Sequence, residues 1–149
     1  MLMSFTLDYE RMLFLDAEDL AELGIKRRYE SIQDELRRYA TEALEIQEVI
    51  NHDATSYVVK CCGVEYVIYS PDISADEGWG RATYAFFKIV NDQLTKSNYR
   101  LYAINGGNDL GGMFLTASEC DAACRSLPRP EDWPYLPTPE HPWYGQCHA

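Results

Sequence analysis

The sequence predicts a mixed α+β domain in which an antiparallel sheet of hairpins is packed by helices. Three observations support this fold class: a helical stripe of apolar residues over 25–39, two β-rich runs about a short turn, and a capping box that starts at Thr116. The chain has 149 residues, of which 46% are hydrophobic and 13% aromatic. This is enough for one sizeable core and too little for two.

Four helices are predicted. Asp16 caps a short first helix and Gly24 ends it, because side-chain oxygens suit the start of a helix and glycine suits its end. A second helix covers residues 25–39, where apolar residues recur at spacings of three and four, so its stripe belongs to the core. A third helix over about residues 80–95 has the apolar side of a helix packed across a sheet. A last helix covers residues 117–126.

Three β-rich runs precede the third helix. Residues 45–50 carry a weak strand signal, while residues 57–61 and 64–69 are separated by a two-residue turn and predict an antiparallel hairpin. Cys61 and Cys62 are adjacent at this turn. Neighbouring side chains on a strand point to opposite faces, so no bridge between these two cysteines is expected.

Two further strands are predicted at residues 99–104 and 113–115. The loop between them, residues 105–112, contains four glycines. Such a loop can cradle a phosphate, but here it lacks a Gly-Lys-Ser/Thr ending, carries Asp109 in place of a cation, and leads into a strand where a helix is needed. A flexible hairpin loop is therefore the favoured interpretation.

Six of the seven prolines fall between Pro128 and Pro142, where they are interleaved with aromatic residues. Disordered linkers are poor in aromatic residues, so we expect this segment to be extended and docked on the domain through its rings. The domain is expected over residues 1–127 and the proline-rich tail over residues 128–149.

The chain is strongly acidic, with 24 Asp and Glu against 13 Lys and Arg and a formal net charge of -11. A field of this sign repels nucleic acids and anionic lipids, and it speeds encounter with basic protein surfaces. The basic run at residues 26–28 lies on a helix that Glu30, Asp34 and Glu35 balance. We therefore expect a basic protein partner, with no nucleic acid and no membrane.

An acidic loop lies between the hairpin and the third helix and ends in an aromatic residue. A tryptophan surrounded by acids suits a basic partner, because the ring supplies buried area and the acids supply steering. The alternative, that Trp79 only covers the core at the start of its helix, stays open. Together with polar residues of the glycine-rich loop, the expected partner-binding residues are Asp72, Asp76, Glu77, Trp79, Asn105, Asn108 and Asp109.

Neither a metal site nor a catalytic site is expected. Cys120 and Cys124 share one face of the last helix, and Cys147 with His141 or His148 would be further zinc ligands. The spacing is unlike that of zinc knuckles, so ordinary buried thiols are the favoured interpretation. The chain has three histidines, so few side chains are suited to acid and base catalysis near neutral pH. We expect no cofactor and no enzymatic activity.

The expected compartment is the cytoplasm. The first residues do not form a charged segment followed by a long apolar one, so no signal peptide is recognised. No apolar run approaches the roughly 18 residues that a membrane span requires. Five cysteines, an odd number, fit reduced thiols better than a disulfide framework.

The chain resembles the immunity proteins that bacteria make to neutralise polymorphic or type VI secreted toxins. The resemblance is one of type over most of the chain, without a diagnostic motif. It is carried by the order hairpin, helix, hairpin, helix from Tyr57 to Ser126 and by the acidic set Asp72, Asp76, Glu77 and Asp109 with Trp79. It implies stoichiometric occlusion, in which an acidic surface docks on the basic cleft of a toxin, often a nuclease, and blocks substrate entry.

Two other function classes stay open. One is a small-molecule-binding or enzymatic domain that uses the cleft beside the glycine-rich loop. A deep pocket that holds a histidine or carboxylate with a shifted pKa would support it. The other is a structural subunit of a permanent hetero-complex. A large flat apolar patch would support it.

Overall fold

The computed structural model describes residues 6–148. Over these residues the chain folds into one α+β domain with five α-helices and two antiparallel sheets of three strands each, which confirms the predicted fold class. The residues from which the lack of a signal peptide was inferred lie partly outside this range. Among the described residues, none of the helices combines the length and the apolar character that crossing a membrane requires.

The first sheet has the order β1-β6-β5 and the second the order β2-β3-β4. The strands are β1 (Leu13–Phe14), β2 (Gln47–Asn51), β3 (Ser56–Cys61), β4 (Val64–Tyr69), β5 (Tyr99–Ile104) and β6 (Gly111–Thr116). The helices are α1 (Ala17–Glu22), α2 (Ile25–Ser31), α3 (Gln33–Leu36), α4 (Gly78–Asp92) and α5 (Ala117–Ser126).

Helix α4 occupies the middle of the core and contacts α1, β4 of one sheet and β5 of the other. Its apolar side chains Ala82, Phe86, Ile89 and Val90 are buried, as the helical pattern predicts. The helix begins two residues before its predicted start, so Trp79 lies in its first turn. Burial of this one helix therefore holds the two sheets together.

The predicted helix over residues 25–39 is wrong in its continuity. It breaks at Ile32, whose φ of -105° and ψ of 4° end α2 and begin α3. The apolar stripe is nevertheless buried, because Ile32 itself enters the core. At the end of the segment, the ring of Tyr39 stacks on Phe114 of β6 at a centroid distance of 4.4 Å. The residues that follow α3 thus pack against the first sheet.

The glycine-rich loop is shorter than predicted, because β6 begins at Gly111 rather than at Met113. Gly111 and Gly112 pair with Phe14 and Leu13 of the short strand β1, which the sequence pattern did not reveal. A Cβ atom at Gly111 would lie 2.6 Å from the sulfur of Met12. Gly111 and Gly112 therefore allow β1 to approach β6 closely. They are required by this packing and not by the conformation of the loop.

The tail lies along the first sheet. Tyr135 bridges Ala103 of β5, since each backbone N–H donates to the other's carbonyl, at 2.7 and 3.1 Å. The indole of Trp133 donates to the carbonyl of Leu127 at 2.9 Å. Further along, Tyr144 is 7% exposed and packs against Gly80 of α4. The aromatic rings thus hold the proline-rich segment on the domain.

Replacing Gly80 with alanine should loosen the tail. The new Cβ would lie 1.9 Å from the ring of Tyr144. We expect Gly80→Ala to lower the free energy of unfolding by about 1–3 kcal/mol, the range for overpacked sites, and to speed chymotrypsin cleavage in the tail. The matched control is Gly78→Ala in the same turn, where a Cβ meets nothing within 4 Å. Equal urea unfolding curves for the two variants would contradict this packing.

Candidate functional site

An open cleft of about 480 Å³ lies where three parts of the chain meet. Its walls are the first turn of α4 with the residues before it, the loop after β5, and the tail. We call it the acidic cleft. Four carboxylate side chains line it, namely Asp76, Asp109, Glu131 and Asp132, against the single cation Arg129. Its lining therefore carries a net negative charge, the same sign as that of the whole chain.

The cation of the cleft is paired. The guanidinium Nε of Arg129 lies 3.3 Å from Glu131 Oε2 and 3.9 Å from Asp132 Oδ2. These pairs are exposed and contribute little to stability. They leave Asp76 and Asp109 on the other two walls, and neither of these carboxylates has a Lys or Arg partner among the described ion pairs.

The surroundings of Asp76 lower its pKa. It lies in a single turn of 3-10 helix, Ala75–Glu77, that leads into α4. A hydrogen bond from the hydroxyl of Ser74 lowers the pKa of Asp76, and the imidazole of His141, whose Nε2 is 3.8 Å away, lowers it further. A carboxylate with a lowered pKa suits charge pairing with a cation, whereas a general acid needs a raised one.

Two large aromatic side chains in the cleft are open to solvent. Trp79 is 36% exposed and Trp143 is 55% exposed. The indole of Trp143 stacks on His148 at a centroid distance of 3.7 Å, which fixes its orientation. Exposed tryptophans next to acidic groups can bury area against a partner and can also hold a cation over the ring face.

The loop between β5 and β6 is anchored at both ends. Asn105 has a φ of 59°, in the left-handed region, and its carbonyl accepts a hydrogen bond from the hydroxyl of Tyr135 at 2.6 Å. At the other end, the carbonyl of Leu110 accepts from the backbone N–H groups of Leu15 and Asp16 at 2.9 and 3.0 Å. The loop interpreted from sequence as a flexible hairpin loop is therefore hydrogen-bonded at one end to the tail and at the other to the residues between β1 and α1.

Tyr144 contributes to the cleft lining, but its hydroxyl group is buried and makes no hydrogen bond to any described residue. Burial raises the pKa of Tyr144, and the negative charge of Glu77 raises it further. A buried polar group without a hydrogen bond is costly, and it becomes favourable when a ligand supplies the partner.

The structure brings together four of the seven residues expected from the sequence. Asp76, Trp79, Asn105 and Asp109 all line the acidic cleft. The other three lie elsewhere. Asp72 is exposed on the loop outside the cleft. Glu77 does not line the cleft either, although its charge acts on Tyr144. The side-chain amide of Asn108 donates to Asp16 Oδ1 at 3.2 Å, beside α1.

Sequence reasoning missed the contribution of the tail. Glu131, Asp132, Trp143 and Tyr144 form one wall of the cleft, although only the acidic loop with Trp79 and the glycine-rich loop were expected to form the site. The available signal was the pairing of acids with aromatic residues in the tail, the same combination that singled out Trp79.

The cysteines of α5 pack as ordinary thiols. The sulfur atoms of Cys120 and Cys124 lie 3.7 and 3.9 Å from the carbonyl oxygen of Pro134. Burial raises the pKa of Cys120 to about 12, so its thiol stays protonated. Within residues 6–148, no group of three or more His, Cys, Asp or Glu side chains gathers in a way that could hold a metal ion.

No protein-family model, no curated protein and no solved structure matches this chain. Its function therefore has to be inferred from the acidic cleft itself.

Removing the unpartnered hydroxyl should stabilise the free protein. We expect Tyr144→Phe to raise the free energy of unfolding by about 1 kcal/mol, because it removes a desolvated polar group. The matched control is Tyr135→Phe, which loses the 2.6 Å hydrogen bond to Asn105 and should lower the same quantity by about 1 kcal/mol. Urea denaturation measures both; a loss of stability in Tyr144→Phe would show that the hydroxyl has a stabilising partner.

Proposed function

We propose that this protein is a protein-binding module that inhibits a basic partner, as an immunity protein occludes the active site of a bacterial toxin in the cytoplasm. One observation carries the proposal: the acidic cleft places four carboxylates against one paired arginine, with two exposed tryptophans beside them. Such a surface is complementary to a basic protuberance that also offers apolar contact.

The charges and the rings have separate tasks in this mechanism. The net charge of -11 draws a basic protein in over distances of about a Debye length, roughly 8–10 Å at physiological salt. Trp79 and Trp143 then bury area at contact and slow dissociation, as aromatic hot spots do. The carboxylates of Asp76 and Asp109 occupy positions where a nuclease would hold substrate phosphates, so substrate is excluded while the complex lasts.

A small-molecule site is the second candidate. The cleft volume of about 480 Å³ lies in the range of ligand pockets. A ligand of this kind would be cationic, given the four carboxylates. We favour the protein partner because both tryptophans are exposed beside an open cleft, where they can bury area against a protein surface.

The first experiment identifies the partner and then locates its binding site. The tagged protein captures its partner from native cells at low salt, and mass spectrometry identifies the chains that co-purify. The proposal requires one basic protein in an equimolar, salt-sensitive complex whose activity is lost on binding. A complex with an acidic or neutral protein would contradict it.

Neutralising the cleft should weaken binding more than neutralising its surroundings. We expect Asp76→Asn/Asp109→Asn to raise the Kd for the captured partner about tenfold and to flatten its dependence on salt, since each pair at a rim contributes roughly 0.5–1 kcal/mol. The matched control, Asp72→Asn/Glu77→Gln, removes the same charge outside the cleft and should change the Kd less than about threefold.

Binding is measured by calorimetry at two salt concentrations. Equal effects of the two double variants would show that net charge alone governs association. A larger effect of the control pair would move the interface from the cleft to the loop around Asp72.

A further inference from the structure

The turn between β3 and β4 brings two thiols together. Cys61 ends β3, whereas Cys62 has a φ of 57° and Gly63 a φ of 78°, so both turn residues have left the strand conformation. The two sulfur atoms are 3.2 Å apart. The expectation that these side chains point to opposite faces is wrong, because the alternation of a strand ends at Cys61.

The pair is reachable from solvent. Cys62 is exposed, and Cys61 is 6% exposed at the edge of the core. Both line an open depression of about 390 Å³, together with Lys60 and Glu65. A small reagent can therefore reach the two sulfur atoms from one side, without unfolding of the hairpin.

A disulfide is a poor product for this pair. Adjacent residues have Cα atoms about 3.8 Å apart across a trans peptide, whereas disulfides span about 4.4–6.8 Å. Closing the pair would strain the turn and make the bond easily reduced. Two neighbouring thiols that resist oxidation to a stable disulfide remain available as a dithiol.

The sulfur separation selects the kind of centre that the dithiol can bind. With bonds of about 2.3 Å, the length of a zinc–sulfur bond, two sulfurs 3.2 Å apart subtend an angle of about 90° at the bound atom. Zinc takes four ligands at wider tetrahedral angles, and the described residues provide no group of three or more ligating side chains. A three-coordinate pyramidal centre with a lone pair requires two sulfurs at such an angle.

We propose that Cys61 and Cys62 form a chelating site for trivalent arsenicals. With an organoarsenous oxide, two S–H bonds and the arsenic–oxygen bond break while two arsenic–sulfur bonds form. The two thiol protons leave with the oxygen as one molecule of water. Arsenic stays trivalent and neither sulfur is oxidised, so the step needs no further reactant.

The two bonds form in order. Cys62 makes the first, because it is exposed. Burial raises the pKa of Cys61 to about 12, so this thiol reacts slowly with reagents from solution. Once arsenic is attached to Cys62, however, the second step is intramolecular and the effective concentration of the arsenic centre is high. The chelate is therefore stable although one of its thiols is a weak nucleophile.

The test uses the full chain and phenylarsine oxide. The wild type is compared with Cys62→Asn, which removes one sulfur and leaves an Asn-Gly sequence suited to positive φ at both turn residues. The matched control is Cys124→Ala, which also removes one cysteine but keeps the pair. Intact mass, the number of free thiols and circular dichroism are measured for all three proteins.

We expect the wild type and Cys124→Ala to share a chelate that Cys62→Asn lacks. Its formation consumes two thiols, adds one reagent less one water, protects both Cys61 and Cys62 from alkylation in peptide maps, and is reversed by 1,2-ethanedithiol. The Kd for this site should rise about a hundredfold in Cys62→Asn, as expected on loss of chelation.

Two results would overturn the proposal. One is protection of Cys62 alone in the wild type, which indicates a single arsenic–sulfur bond. The other is equal uptake of reagent by the wild type and Cys62→Asn. The peptide map of the wild type decides the matter even if the variant does not fold.

Discussion

The burial of helix α4 is the constraint on which the rest of the structure depends. This helix contacts β4 of one sheet and β5 of the other, and the rings of Phe86 and Phe87 are buried within the core that both sheets share. Its first turn carries Trp79 towards solvent and places Gly80 where the ring of Tyr144 fits. The packing of α4 that stabilises the domain therefore also positions one wall of the acidic cleft. It also provides the surface against which the tail, another wall of the cleft, packs.

The distribution of charge favours an intermolecular role. A net charge of -11 opposes folding through self-repulsion, and the four carboxylates of the cleft concentrate that repulsion in one concavity. The one arginine among them offsets only part of it. A basic partner would relieve this repulsion on binding, while the hydrogen bond at Asn105 and the stacking of Trp143 on His148 would reduce the entropy lost on binding.

Local signals could be predicted from sequence and long-range ones could not. The capping box at Thr116 and the hairpin around the Cys62 turn were both predicted, since each depends on residues a few positions apart. The break at Ile32 could not be predicted, because the apolar spacing of three and four continues through it. The bridge between Ala103 and Tyr135 joins residues far apart in sequence, so the acidic loop could be predicted as part of the site and the tail wall could not.

Site-specific photocrosslinking in native cells tests the central claim most directly. A crosslinking amino acid at position 143, in the cleft, is compared with one at position 23, where Leu23 is 58% exposed and lines no part of the cleft. The account predicts that a single basic protein is joined to the chain from position 143 and not from position 23. Crosslinks from position 23 alone, or to a partner that is not basic, would contradict the assignment of the cleft as the binding surface.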